Sequence, residues 1–230
     1  QLASGDLWAG SEVQLYTLCC ELLKRNDIKL KVVLLNYGEL EQKLKAKQID
    51  VLVFDEAKKG FLYIAFAVLL TCYKFRPNVV HSHRSKENIL AGFCRLLAWV
   101  PSLRTVHGAT ESTASKFTLR GGLQQLDVLV GRYLQRKVVA VSDDLKNKLL
   151  RTYSTNKLEV ICNGVCIPKE GASEPFQLTV GAYNIGFVGR LTSVKRGDLF
   201  LQMASILLGQ EFVKPLQFYV VGNGSLKKEL

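Results

Sequence analysis

The sequence predicts an α/β protein built on a parallel, Rossmann-like sheet, and three observations carry that expectation. Short runs rich in Val, Ile and Leu recur along the chain, separated by stretches of helical period. Most of these runs are continuously apolar rather than alternating, as strands covered on both faces are. The stretches between most of them are long enough for helices, which is the βαβ pattern of a parallel sheet. Strands are expected at 28–36, 49–55, 78–83, 103–108, 137–142 and 157–162, then at 184–189 and 216–222.

The helices follow from spacing. Ser11 and Gln14 have capping-box spacing. Leu15, Leu18, Cys19, Leu22 and Leu23 then fall on one helical face. Ser142 with Asp143 and Asp144 opens another helix, with the acids toward its positive end. The longest apolar run, FLYIAFAVLLTCY at 61–73, is shorter than the ~20 residues that a bilayer-spanning helix needs. A helix buried against the sheet is the favoured reading. Because Lys58, Lys59, Lys74 and Arg76 flank the run, an interfacial helix is the alternative.

Between 163 and 183 the periodicity breaks in a segment holding prolines and glycines, which reads as a linker. The expected organisation is an N-terminal Rossmann-like domain over 1–165, a linker over 166–183, and an incomplete second Rossmann-like domain over 184–230. The last stretch is too short to close such a domain, whose βαβ units take ~30 residues each. The chain opens on a glycine loop with no strand recognisable ahead of it. A fragment lacking its first strand and most of its second domain is therefore expected.

With 48% hydrophobic and 22% charged residues the composition is that of a soluble globular protein, far from disorder. The net charge of +11 calls for an anionic partner: nucleic acid, anionic lipid or a phosphorylated small molecule. A generic basic surface is the bland alternative. Nucleic acid is disfavoured, because the lysines are scattered and the aromatics lie mainly in apolar runs. The six cysteines form no CxxC and no zinc-finger spacing with histidine, so no metal is expected and a reducing, cytoplasmic compartment is.

Unusual residues gather at strand ends. Gly10 closes the loop SGDLWAGSE at the start of the first helix, where exposed amides favour phosphate. The spacing is neither GxGxxG nor GxxxxGK[ST], so dinucleotide and P-loop readings fail. All three histidines, His81, His83 and His107, stand at the ends of two strands, where open α/β sheets bind ligands. A lone histidine is more often structural, but a neutral imidazole there can hydrogen-bond a hydroxyl or take its proton. The turn after 184–189 carries Gly189, Arg190 and Lys195. A guanidinium fork and an ammonium at the start of a helix suit a diphosphate. Gly222, in GNGS, ends the next strand in the same way.

Together these pieces resemble the GT-B glycosyltransferases of family 4. WAGSEVQLYTLCCELLKR is similar to that family's opening glycine loop and first helix, and PNVVHSHRSKENILAGFCRLL to its DVVHxH strand and the helix after it. LRTVHG, VVAVSDDLKNKL and LEVICNGVCIP match the next strand, the VSxxL element and the NGVD crossing. IGFVGRLTSVKRGDLFLQMA and FYVVGNGSLKKEL match the GRLxxxKG and GxGxxxxxL elements. The resemblance implies a nucleotide diphosphate sugar donor bound between two Rossmann-like domains, a glycan or glycolipid acceptor, and transfer with retention without a metal or other cofactor. It implies that Gly10, Gly189, Arg190 and Lys195 bind the donor diphosphate and that His107 is catalytic, facing the transferred sugar. His83, Ser142, Asn163 and Gly222 stand in the matching elements as candidate further substrate contacts. A nucleotide-sugar 2-epimerase-like enzyme is the alternative within the fold, and a basic nucleic-acid-binding module the alternative outside it. The sequence departs from the pattern at Cys166, where the family usually has Asp, and at Arg196, which precedes Gly197. The family's Glu-x7-Glu region is expected beyond residue 230, so the chain alone is expected to be inactive. Localisation is expected to be cytoplasmic, with peripheral contact to an anionic membrane.

Overall fold

The computed structural model describes residues 1–108, 118–167 and 177–229. It divides into two units, Gln1–Ile167 and Pro168–Leu230. In the first unit seven strands form one sheet: β1 (Leu2–Ala3), β2 (Lys31–Leu34), β3 (Asp50–Val53), β4 (Val80–Ser82), β5 (Ser102–Val106), β6 (Lys137–Ala140) and β7 (Leu158–Val160). All neighbours are parallel, in the order β3-β2-β1-β4-β5-β6-β7. The winding reverses between β1 and β4, so the topological switch point lies there.

Adjacent residues on the central strands feed opposite layers. Ala3, Val32 and Leu34 pack with Leu15 and Cys19 of α1 (Gly10–Leu23) and with Leu40 and Leu44 of α2 (Glu39–Ala46). Leu2, Val33 and Leu35 pack with Ile64, Val68 and Cys72 of α3 (Phe61–Phe75) and with Leu90 and Cys94 of α4 (Ser85–Leu97). This double coverage is why the strands read as unbroken apolar runs. A third cluster joins Val106, Val138 and Ala140 to Leu145, Tyr153 and Leu158.

Two further helices, α5 (Leu119–Tyr133) and α6 (Asp143–Leu149), complete the unit. Asp127 of α5 anchors a buried polar network. Its carboxylate accepts from Arg104 Nη1 at 2.8 Å, Asn88 Nδ2 at 2.7 Å and Ser85 Oγ at 3.0 Å. The network locks β5 to α4 and α5.

Some expectations are corrected here. A strand does precede the glycine loop: β1 lies in the middle of the sheet, and two residues are too few to show a period. The capping box at Ser11 is not used. The helix begins at Gly10 after Ala9, and Ser11 Oγ donates to Glu12 Oε2 at 2.8 Å. Ser142 does cap α6, accepting from the Leu145 amide at 3.2 Å. The apolar run at 61–73 has two faces. Ile64, Val68 and Cys72 are buried, while Leu62 is 83% and Phe66 65% exposed.

In the second unit β8 (Tyr183–Val188) and β9 (Leu216–Val221) pair in parallel, with α7 (Gly197–Leu208) as the crossover between them. Phe200 of α7 packs on Phe187 and Phe218, with centroids 5.6 and 6.0 Å away.

Candidate functional site

Strand alternation sets His81 and His83 on one face of β4 and its continuation, and Thr105 and His107 on the same face of β5 and its continuation. With His81 in register with Leu103, each histidine reaches diagonally to the residue two further along β5. His81 Nε2 meets Thr105 Oγ1 at 2.8 Å, and His83 Nδ1 meets His107 Nε2 at 3.1 Å. The His83 ring stacks on His107 with centroids 5.4 Å apart and lies 4.3 Å from His81. On its other side His83 Nε2 meets Gln1 Oε1 at 3.1 Å. His107 Nδ1 is buried and has no hydrogen-bond partner among the described residues.

Burial disfavours the charged imidazolium, so all three rings titrate low. It pushes His81 down to about 3, with the N-terminal amino charge and His107 adding to the effect. His83 is held well below the usual histidine range, by burial first and then by the other two histidines. His107 is lowered chiefly by burial, with Glu12 opposing and Arg84 adding. The cluster is neutral at pH 7.

Arg84 is the residue that sequence reasoning missed. It follows the β4 histidines and pairs with Asp6 Oδ1 at 3.0 Å and with Glu12. Glu12 is almost fully buried in the first turn of α1, where the helix dipole favours a carboxylate. One guanidinium thus ties the glycine loop and the start of α1 to β4 at the switch point. Its position directly after HSH was the available signal. Within the loop, the glycine that the backbone demands is Gly5, in the left-handed region at φ 85°. Gly10 begins α1 with open space around the position of a Cβ, so its backbone is approachable.

Ser142 is engaged as the α6 cap, which uses its hydroxyl oxygen. Asn163 is exposed beyond β7, and the next residue's carbonyl, that of Gly164, accepts from Gln14 of α1 at 2.7 Å. A cavity borders His83, His107 and Asn163. Only its histidine end adjoins the cluster.

In the second unit the ends of β8 and β9 are zipped together beyond the strands. Gly189 N–H donates to Val221 at 3.0 Å, Leu191 N–H to Asn223 at 2.9 Å and Leu226 N–H to Leu191 at 3.0 Å. A Cβ on Gly222 would run into the Gly189 carbonyl oxygen, so this glycine is needed for close backbone approach. Arg190 and Lys195 are exposed, and neither pairs with a carboxylate among the described residues. Arg196, by contrast, is held by Asp198 at 2.9 Å.

A parallel sheet whose winding reverses between β1 and β4, with a polar cluster at the carboxyl ends of its strands, defines a Rossmann-like domain of GT-B type. The chain belongs to Glycosyltransferase Family 4, whose profile matches residues 8–167. It is 27% identical over 177 residues to the UDP-Gal:alpha-D-GlcNAc-diphosphoundecaprenol alpha-1,3-galactosyltransferase of Escherichia coli, a match covering 70% of this chain and 46% of that enzyme. The fold is similar to that of Anabaena Alr3699/HepE in complex with UDP and glucose (TM-score 0.75, 16% identity), over 99% of this chain and 62% of that one. A UDP-N-acetylglucosamine 2-epimerase shares it too, with TM-score 0.60 and 14% identity over 94% of this chain and 61% of that one. The chain thus matches less than half of the curated relative and about three-fifths of the two solved chains.

Proposed function

We propose that this chain serves glycosyl transfer, moving a sugar from a nucleotide diphosphate sugar to a glycan or glycolipid acceptor. The observation that carries the reading is the neutral histidine cluster at the switch point of a family 4 domain, with one ring nitrogen of His107 left unpartnered. On this reading His107 contacts the transferred sugar. Arg190 and Lys195 neutralise the leaving diphosphate, whose negative charge grows in the transition state. These cations would take the part that a metal plays elsewhere, and the family resemblance implies retention. Gly10 supplies approachable backbone and Asn163 remains a candidate for substrate contact, whereas the Gly189 N–H is taken by Val221 and both ring nitrogens of His83 by Gln1 and His107. The transferase relative supports this reading over the 2-epimerase, whose likeness extends to the fold alone.

The outer face of α3 supports a membrane-borne acceptor. Leu62, Phe66, Leu70 and Tyr73 form an exposed apolar stripe at i, i+4, i+8 and i+11, with Lys58, Lys59, Lys74 and Arg76 at its ends. Among the described residues no helix is long and apolar enough to cross a membrane. We place the stripe against an anionic, cytoplasmic membrane face, where the basic residues add surface attraction.

The test is transfer from UDP-sugars in the full-length protein. His107→Ala should cut turnover. Arg190→Ala and Lys195→Ala should each lower kcat/KM about 10- to 100-fold, since a charge-assisted hydrogen bond contributes about 1.5–3 kcal/mol. Unchanged kinetics in all three variants would remove the roles assigned here.

A further inference from the structure

We infer that His83 is a positioning residue that fixes His107 as its Nε2–H tautomer, so that the Nδ1 lone pair of His107 accepts a hydrogen bond from a ligand hydroxyl. The identity of that hydroxyl as a sugar's rests on the glycosyl-transfer reading; the tautomer does not.

The inference follows the chain of hydrogen bonds through the cluster. Gln1 Oε1, a carbonyl oxygen, can only accept, so the hydrogen between it and His83 sits on His83 Nε2. A neutral imidazole carries one N–H, which leaves His83 Nδ1 as a lone pair. The contact at 3.1 Å between His83 Nδ1 and His107 Nε2 then requires His107 Nε2 to donate. His107 is neutral in its turn, so its Nδ1 is bare.

The far end of the chain agrees independently. His107 Nδ1 is buried with no partner among the described residues. A buried N–H left unmade is rarer in proteins than an acceptor left unfilled. The reverse tautomer would leave an N–H at Nδ1 and set two lone pairs facing each other between His83 Nε2 and Gln1 Oε1. Both ends therefore select one arrangement. In it His107 receives a hydroxyl's hydrogen and does not supply one, which separates it from a general acid.

The experiment is long-range ¹⁵N–¹H correlation of the histidine rings in the ¹⁵N-labelled chain at pH 7. The Nε2–H form of His107 should predominate about tenfold, the worth of one good hydrogen bond. His83→Asn can put a carboxamide oxygen near the place of Nδ1 and should keep that preference. His83→Leu removes the acceptor and should let the preference fall toward the weaker one of a histidine side chain free in water. Gln1→Leu, a change at the edge of the cluster, should loosen the preference in the same direction. It keeps the inference testable if His83→Leu does not fold. A predominant Nδ1–H form in the parent chain, or a His107 tautomer that ignores both leucine substitutions, would overturn it. Since no readout depends on transfer, lack of glycosyltransferase activity would count against the functional reading and leave this inference standing.

Discussion

Replacing Asp127 by Ala should be among the most damaging single changes in the first unit. Arg104 and Asp127 are each 8% exposed at the side chain, and their ion pair measures 2.8 Å. Truncating the carboxylate removes three hydrogen bonds, from Arg104, Asn88 and Ser85. It also strands the guanidinium in a site where Arg104 Nε already lacks a partner among the described residues. Breaking a buried pair from one side costs about 3–5 kcal/mol, because an uncompensated charge remains. That is a large part of the ~5–15 kcal/mol that holds a typical domain together. The measurement is urea unfolding followed by circular dichroism, with the midpoint shifting at unchanged slope. The double variant Arg104→Met/Asp127→Leu should recover much of the loss, since no charge is then left behind, though Asn88 and Ser85 keep it from full recovery. Asp127→Ala within 1 kcal/mol of the parent, taken as the order of an exposed pair, would refute this reasoning. A double variant as poor as the sum of its singles would refute it equally. Because β5 carries His107 just beyond its end, a milder change such as Asp127→Asn should also disturb the His83–His107 contact.

Other outcomes follow from the same structure. Burial lowers His81 from 6.5 to about 3, so the unfolded chain binds the extra proton first as pH falls. Its stabilising contribution is complete above about pH 6.5 and is lost as pH falls toward 3, which comes to about 2 kcal/mol by pH 5. In His81→Gln the drop in stability between pH 7 and pH 5 should shrink by that amount, and an identical drop would refute the assignment. Gly222→Val should melt the second unit's sheet, whereas Gly10→Ala, at a position with open space, should leave the fold intact; hydrogen exchange at the β8 and β9 amides reads the first, and exchange at the α1 and β2 amides the second. Co-sedimentation with anionic vesicles should weaken in Leu62→Ser/Phe66→Ser. It should also weaken when salt is raised, because surface attraction is screened over about 8–10 Å. Indifference to vesicles at low salt would make the acceptor a soluble one.

By itself the sequence determined where the strands other than β1 lie, the cap on α6 and the presence of histidines at strand ends. These are local properties. A strand buried on both faces, such as 31–34 or 137–140, shows as a continuous apolar run wherever it sits in the sheet, and Ser142 needs only the amide three residues on. The tertiary structure alone decided what these residues face. Two-residue β1 has no period to read, yet its place between β2 and β4 creates the switch point. Arg84 meets Asp6 across 78 positions because of that strand order, and His83 meets His107 across 24 because β4 and β5 are neighbours in a particular register. Gly222 resembles a ligand glycine in sequence, but the carbonyl of Gly189 is what excludes its side chain. Local pattern records how a segment is covered. Which partner supplies the cover depends on strand order and register, and those exist only once the whole sheet has formed.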